Sequence, residues 1–585
     1  MGSRDNINQG SILRVTGIIG VVIFSVFLSS CSGDDRRHAV DQVVIYPALK
    51  IITINAAQPF VEAIATRGDR ILALGSAAAL ERQFDHDDYV TDMRFEDKVI
   101  MPGFVEPHLH PSLAAIVLQL NIVAAMEWPT PNGTSVAVTD HPGFLARMRE
   151  LNQSVEDEWL MVWGYHAPYH GEMSRETLDD ISSTRPIMVW QRSIHEMYFN
   201  TKAMEILGFT AEQFATNKYA NWEEGHLWES GLLSLGRPMI KRLAGPMNYL
   251  RGMGLMSDII HRGGITTVAE QGFPQIDETL EFWALWWEMG RDTPYRFALV
   301  PNGMFLLQKY GDAVAAEEQA SKILTRGNGL IVPRKHMKYY ADGAIFSQLM
   351  LLSEPYLDGH VGAWMMPPEQ QKELLSQFWQ KGWDIHIHVN GDAGLDNVLA
   401  DVEALQRDFP NNKPRVVLEH YGYARADQHK RVKSLNIAVS NNAYYVSELA
   451  PIYAKHGMGK ERAADISPLG GLAKEGVPIS FHSDYPMAPA EPLTLVWSAV
   501  NRIASDGAVW GEDQKLSLDL ALRAITLEAA WSIGLEDEIG SIAVGKKADF
   551  TILDQDPYDI PPQQLKDIPI WGTVFEGRHF PLKQN

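Results

Sequence analysis

Cysteine is almost absent. One residue in 585, Cys31, carries a thiol, so no disulfide can form within the chain and any cross-bracing must come from packing or metal. Basic residues are also short: lysine and arginine total 51 against 73 aspartates and glutamates, a formal charge of −22. That balance argues against a nucleic-acid partner, because phosphate contacts need clustered positive charge. No low-complexity tract and no repeat of fixed period is present, and the apolar run Val15–Leu28 falls short of the ~20 residues that span a bilayer as a helix. What is there, 45% apolar and 21% charged residues over this length, supports a folded chain with a large core and excludes a disordered, collagen-like or small disulfide-stapled protein.

At the N-terminal end, Arg4 and Arg14 precede that apolar run, which then meets Ser29-Ser30-Cys31, the pattern of a secretory signal. The segment resembles bacterial lipoprotein signals, whose lipobox ends in the cysteine that is acylated and becomes the mature N-terminus. The resemblance implies a signal peptide at 1–30, lipidation at Cys31 and a polar tether at 31–42. The body would then lie in the cell envelope, lipid-anchored at the periplasmic face of a membrane or at the outer membrane. An uncleaved anchor is the alternative.

Short β-rich runs open the body at Val43–Tyr46, Ile51–Ile54, Ala63–Arg67, Ile71–Gly75 and Val99–Met101, and the same character returns at Ala548–Leu553, Trp571–Phe575 and His579–Phe580. The two ends are expected to pair into one module. Between them β-branched runs alternate with helical patterns, the signature of βα units around a parallel sheet. Eight strands can be nominated: Val99–Phe104, Ile265–Ala269, Tyr295–Val300, Met337–Tyr340, Ile385–Val389, Val416–Leu418, Ile437–Val439 and Ile479–Phe481. Eight strands close a barrel. About 160 residues separate the first nominated strand from the second, more than a connection needs. This insertion, at about 112–262, is aromatic-rich and is expected to form a cap over the site.

Met101-Pro-Gly-Phe-Val-Glu-Pro-His-Leu-His110 places two histidines two apart at the end of a β run, so both side chains project to one face. Such a pair can be merely structural, and it acquires meaning from what joins it. Lys338 lies within the fourth nominated strand, where a lone ammonium would be costly to bury. His386 and His388 lie on the fifth, His420 follows the sixth, and Asp484 follows the eighth. Strand ends of a barrel converge on one mouth, so these imidazoles, carboxylate and lysine would form a cage for one or two first-row divalent ions.

These motifs, with His388-Val-Asn-Gly-Asp392, Glu419-His420, Ser483-Asp-Tyr-Pro486 and the tail Ile539–Leu553, resemble the amidohydrolase superfamily, and within it the metal-dependent hydrolases of amidohydrolase family 3. The resemblance implies an α/β fold: a (β/α)8 TIM barrel at 99–539 with a small β-sandwich formed from 43–98 and 540–585. By the same resemblance His108 and His110 bind a first metal, His388 and His420 a second, a carboxylated Lys338 bridges them if two are held, and Asp484 is both ligand and general base. Zinc is the expected metal. His195 and Asn200 match a family pattern in which the histidine reaches from the insertion to the substrate carbonyl; relatives carry aspartate and glycine before it, where this chain has Ser193-Ile194. His386 reads as a neighbour of the cage, and His482 as a residue standing behind the ligands, its side chain turned from the mouth. His166, His170 and His226 read as cap packing, while the roles of Glu106 and Glu270 stay open.

The expected reaction is hydrolysis of a carbon–nitrogen bond in a small molecule: an amide, a cyclic amide or an N-acyl compound. Ester, lactone or carbamate cleavage on the same site is a rival, as is a surface lipoprotein that only binds a ligand. A homo-oligomer is left open.

Overall fold

The computed structural model describes residues 42–583; the leader and Cys31 lie outside them. Eight parallel strands form the central barrel: β1 (Phe104–Leu109), β2 (Ile265–Phe273), β3 (Arg296–Pro301), β4 (His336–Tyr340), β5 (Asp384–Val389), β6 (Val416–His420), β7 (Ala438–Asn441) and β8 (Ile479–Phe481). β1, β2 and β3 pair in one sheet that Ile331–Pro333 extends, and β4 to β8 pair in sequence in another. A bridge between Asn302 and Lys338 joins the sheets on one side, and the Asp484 amide donates to the His108 carbonyl at 3.0 Å on the other. Helices follow most strands, and the result is an α/β, TIM-barrel-like fold.

One boundary differs from the sequence reading. Val99–Phe104 is not a single strand: Val99–Pro102 belongs to another sheet, and the barrel strand starts at Phe104. The break falls at Gly103, where a Cβ would lie 2.1 Å from Thr266 Oγ1, so only glycine lets the chain pass this close to β2. Val99–Pro102 pairs with Phe550–Leu553 on one side and with Val43–Ile52 on the other, uniting the two ends of the chain in one eight-stranded sheet. Strand alternation explains how that sheet is covered. Val44 and Tyr46 pack with Ile100, Phe550 and Ile552, whereas Val43 and Ile45 turn the other way onto Leu80 and Phe84. A buried ion pair, Arg296 to Asp549 at 2.6 Å, ties the sheet to β3.

The insertion has a six-stranded sheet of its own. Its centre is Leu160–Tyr165 parallel to Ile187–Gln191, which turns back into Glu196–Phe199. The turn of this hairpin, Arg192 to His195, carries Ile194 in the left-handed region (φ 62°) and reaches the barrel mouth.

Candidate active site

Inward-facing residues of the barrel strands assemble the site. On β1 the alternation that sends Val105 outward against Ala529 and Ala530 sends Glu106 and His108 inward, and His110 follows just past the strand end. Lys338 on β4 and His386 and His388 on β5 face in by the same parity. Alternation alone would turn His420 away from the interior that Glu419 faces. Both point in because His420 leaves the strand with a left-handed backbone (φ 77°), and Asp484, three residues past β8, does the same (φ 53°). Such conformations cost a non-glycine residue on the order of 1–3 kcal/mol and persist where the surroundings enforce them.

The atoms converge. Asp484 Oδ1 lies 3.4 Å from His108 Nε2 and 3.3 Å from His110 Nε2; its Oδ2 is 3.6 Å from His420 Nδ1; Lys338 Nζ is 3.4 Å from His108 Nε2. The His388 and His420 rings lie 4.4 Å apart between centroids. All six residues are buried, with exposures of 0–8%. His108, His110 and Asp484 can present ligand atoms mutually within 4.8 Å, and so can His108, His420 and His482. Donor separations of 3.3–3.4 Å are those of a tetrahedral ion with bonds of about 2.0–2.1 Å, so the residues present fit a divalent metal.

Carboxylates behind the imidazoles hold their orientation. Glu419 Oε2 lies 2.8 Å from His108 Nδ1, and Glu270 Oε1 lies 3.0 Å from His110 Nδ1, leaving each Nε2 for the cavity. Burial would push Glu419 up, but the hydrogen bond with His386 and the Lys338 charge hold it below the usual carboxylate range. Burial, reinforced by Lys338 and the neighbouring imidazoles, drives His108, His388 and His420 well below the ordinary histidine value, favouring the neutral, ligating form. His110 goes the other way: burial opposes its protonation, yet hydrogen bonds to Asp484 and Glu270 prevail and push it up to about 9. Burial lowers Lys338 to about 8 and raises Glu106, which accepts the Ser483 amide at 2.9 Å, to about 8.

Above the cluster, Ser193, Ile194 and His195 of the cap hairpin line the pocket with Ile345, Phe346 and Met487. His195 Nδ1 lies 3.1 Å from Glu229 Oε2. Burial alone would lower His195, but the charge and hydrogen bond of Glu229 raise it. The pocket thus joins metal-capable groups to one imidazole from the cap and to apolar and aromatic walls.

Two sequence readings are corrected. Asn200 does not reach the pocket. It caps the helix Thr201–Leu207, its Oδ1 accepting from the Ala203 and Ile187 amides and its Nδ2 donating to the Ser182 and Arg185 carbonyls. With no exposed surface, it has nothing left to offer a substrate. Asn200→Ala is therefore expected to lower stability by about 2–4 kcal/mol, through the lost cap and newly unsatisfied buried groups, with activity unchanged below the unfolding transition. Chemical denaturation beside an activity assay checks this. His482 does not point away either: its Nε2 lies 3.2 Å from His420 Nδ1 and its ring 4.5 Å from that of His108. Ser480 of β8 lies in register with the inward Ser440, whose Oγ is 2.7 Å from His482 Nδ1, so the strand's own alternation carries His482 inward.

Sequence reasoning misses Glu229 and the anchoring role of Glu419. Glu419 has a signal, its position beside His420 at a strand end, whereas Glu229 has none because its partner is 34 residues away. His386, Nδ1 2.6 Å from Glu419 Oε1, is a neighbour as expected. His166 and His170 bond to backbone groups and His226 to Glu196, all away from the cluster.

Barrel and cluster define the class: an α/β barrel whose strand ends hold a buried set of imidazole and carboxylate groups able to bind a divalent ion. Residues 95–580 match the amidohydrolase family, and the chain belongs to it. It is 23% identical over 559 residues to an N-substituted formamide deformylase of Arthrobacter pascens, covering 90% of this chain and 96% of that protein. A putative amidohydrolase, YtcJ, of Bacillus subtilis is 24% identical over 88% of this chain and 95% of its own length. Among solved structures, an uncharacterized metal-dependent hydrolase of Pyrococcus horikoshii superposes with a TM-score of 0.67 at 20% identity, over 89% of this chain and 99% of that one.

Proposed function

We propose that the protein hydrolyses a carbon–nitrogen bond in a small amide, cyclic amide or N-acyl compound, at one or two divalent ions held by His108, His110, Asp484, His388, His420 and a carboxylated Lys338. The observation that carries this reading is the convergence of Asp484 Oδ1 on both β1 imidazoles at 3.3–3.4 Å. Nitrogen and oxygen donors in that arrangement suit zinc. When bound, such an ion supplies Lewis acidity toward a substrate carbonyl and lowers the pKa of water beside it. Asp484 takes the proton from the attacking water and returns it to the departing nitrogen. From the opposite wall, His195 donates to the oxyanion as it develops. Ile194, Ile345, Phe346 and Met487 give the pocket an apolar side for the rest of the substrate. The formamide deformylase relative, which its name places on carbon–nitrogen bonds, supports the reading.

The module expected at 43–98 and 540–585 is read as a β-sandwich that also takes in Val99–Pro102, beside a barrel whose first strand starts at Phe104. For the N-terminal segment the reading is a lipid anchor at Cys31 in the cell envelope; among the described residues no helix is long and apolar enough to cross a membrane. Labelled fatty acid is expected in the wild-type protein expressed in a bacterium and absent from Cys31→Ser.

The test of the central reading is metal content by elemental analysis beside hydrolysis of an amide and N-acyl library. The purified protein is expected to carry one or two equivalents of divalent metal, to lose turnover on exhaustive chelation and to regain it on adding zinc. A metal-free protein that hydrolyses a library member equally well would refute it.

A further inference from the structure

Arg192 is one of the largest fully buried side chains among the described residues, and it sits at the start of the cap hairpin turn, three residues before His195. Its Nη1 donates to the Pro486 carbonyl at 2.7 Å, and its Nη2 donates to the Met487 carbonyl at 2.6 Å and to Glu448 Oε2 at 2.9 Å. Around the guanidinium stand the rings of Trp128, Trp163 and Phe346, with centroids 4.6–5.1 Å away. The partners come from separate parts of the chain. Pro486 and Met487 follow Asp484 by two and three residues. Glu448 lies on the helix Tyr444–His456 after β7, whose Tyr445 hydroxyl is 3.2 Å from His420 Nδ1.

A fully buried ion pair is a poor source of stability, since well-packed apolar side chains of similar volume often do as well or better. What a guanidinium adds is geometry. Its rigid fork of donors fixes several acceptors at once, which a lysine's single ammonium on a flexible stem does not reproduce. Here the fork holds two successive carbonyls of the loop that carries Asp484, and its own backbone anchors the turn that carries His195: the Arg192 amide donates to the Tyr165 carbonyl at 2.7 Å.

We propose that Arg192 is a positioning residue that locks the cap hairpin to the loop after β8, so that His195 and Asp484 are held in register across one pocket. The catalytic part of this inference rests on the reading of Asp484 as the reacting carboxylate; the mechanical part does not. A displacement of about 1 Å at a reacting group can cost 10²-fold in rate, so a clamp that acts only on position has a large effect to exert.

The test uses the full chain loaded with zinc, with Arg192→Lys and the milder Glu448→Gln. Hydrogen exchange followed by peptide is expected to quicken at 484–490 and 192–196 in Arg192→Lys while β5 and β6 keep wild-type protection. Turnover per bound metal ion is expected to fall at least about tenfold, with KM changed less than about threefold. Glu448→Gln is expected to shift both readouts in the same direction by less. The proposal is overturned if both variants keep wild-type turnover per metal ion and wild-type exchange at 484–490. It is equally overturned if protection falls evenly across the barrel, or if neither variant yields soluble protein, because Arg192 is then a scaffold residue only. A wild-type protein with no hydrolytic activity would sink the functional reading, and exchange at 484–490 against β5 and β6 would still decide the clamp.

Discussion

Asp484→Asn is expected to reduce kcat by about 10²–10⁴-fold, the range over which a positioned proton acceptor contributes, while the protein stays folded and keeps most of its metal. An asparagine carbonyl oxygen can still face His108 Nε2 and His110 Nε2, where Asp484 Oδ1 now lies at 3.4 and 3.3 Å, so a ligand atom survives. The ability to take up a proton does not. The backbone around the position is held by contacts the substitution leaves alone: the Asp484 amide on the His108 carbonyl at 3.0 Å and the Ser483 amide on Glu106 at 2.9 Å. Elemental analysis, thermal unfolding and single-turnover kinetics on one preparation separate these effects. Retention of turnover within tenfold of wild type would remove Asp484 as proton acceptor, and complete loss of metal would make it a ligand before anything else.

Lys338→Ala is expected to lower both metal content and turnover, the latter by at least about 10²-fold, since even outer partners of metal ligands cost 10–100-fold when removed. Lys338 is fully buried; the charges of Glu419 and Asp484 offset part of that burial, but the hydrogen-bond contact of its Nζ is to His108 Nε2, at 3.4 Å, and burial prevails. A buried ammonium without a carboxylate in hydrogen-bond contact is costly to desolvate. The proposed carboxylation would remove the difficulty: the neutral amine would add to carbon dioxide and lose a proton, and the resulting carbamate would be an anion suited to sit between cations. Reactivation of metal-stripped wild-type protein should therefore depend on bicarbonate, and its intact mass under mild conditions should exceed the sequence mass by one carbon dioxide. If Lys338→Ala binds full metal and turns over normally, the lysine is a packing element.

The site residues legible in the sequence share one property: strand parity and a position at the carboxyl end of a barrel strand decide where they point. His108, His110, Lys338 and His388 follow from that rule, because a period of two is enforced by the backbone itself. The rule fails where the backbone turns left-handed, at His420 and Asp484. His482 keeps the inward parity of Ser480, so its misreading is an error in counting along the strand, whereas Asn200 matches a pattern of spacing while its amide group is engaged as a helix cap. The split at Gly103 depends on Thr266, and the grip of Arg192 on the Asp484 loop spans 294 and 295 residues; neither has a local signature.

By itself, then, the order of residues settled which side chains a barrel would turn toward its axis, since alternation along a strand is local and needs no partner. Only tertiary structure decided which of those atoms meet. Left-handed turns at His420 and Asp484, the carboxylates of Glu419 and Glu270 behind the imidazoles, and a cap hairpin pinned by Arg192 all arise from contacts between segments remote in sequence. Free energies of that kind exist only once the chain has closed upon itself.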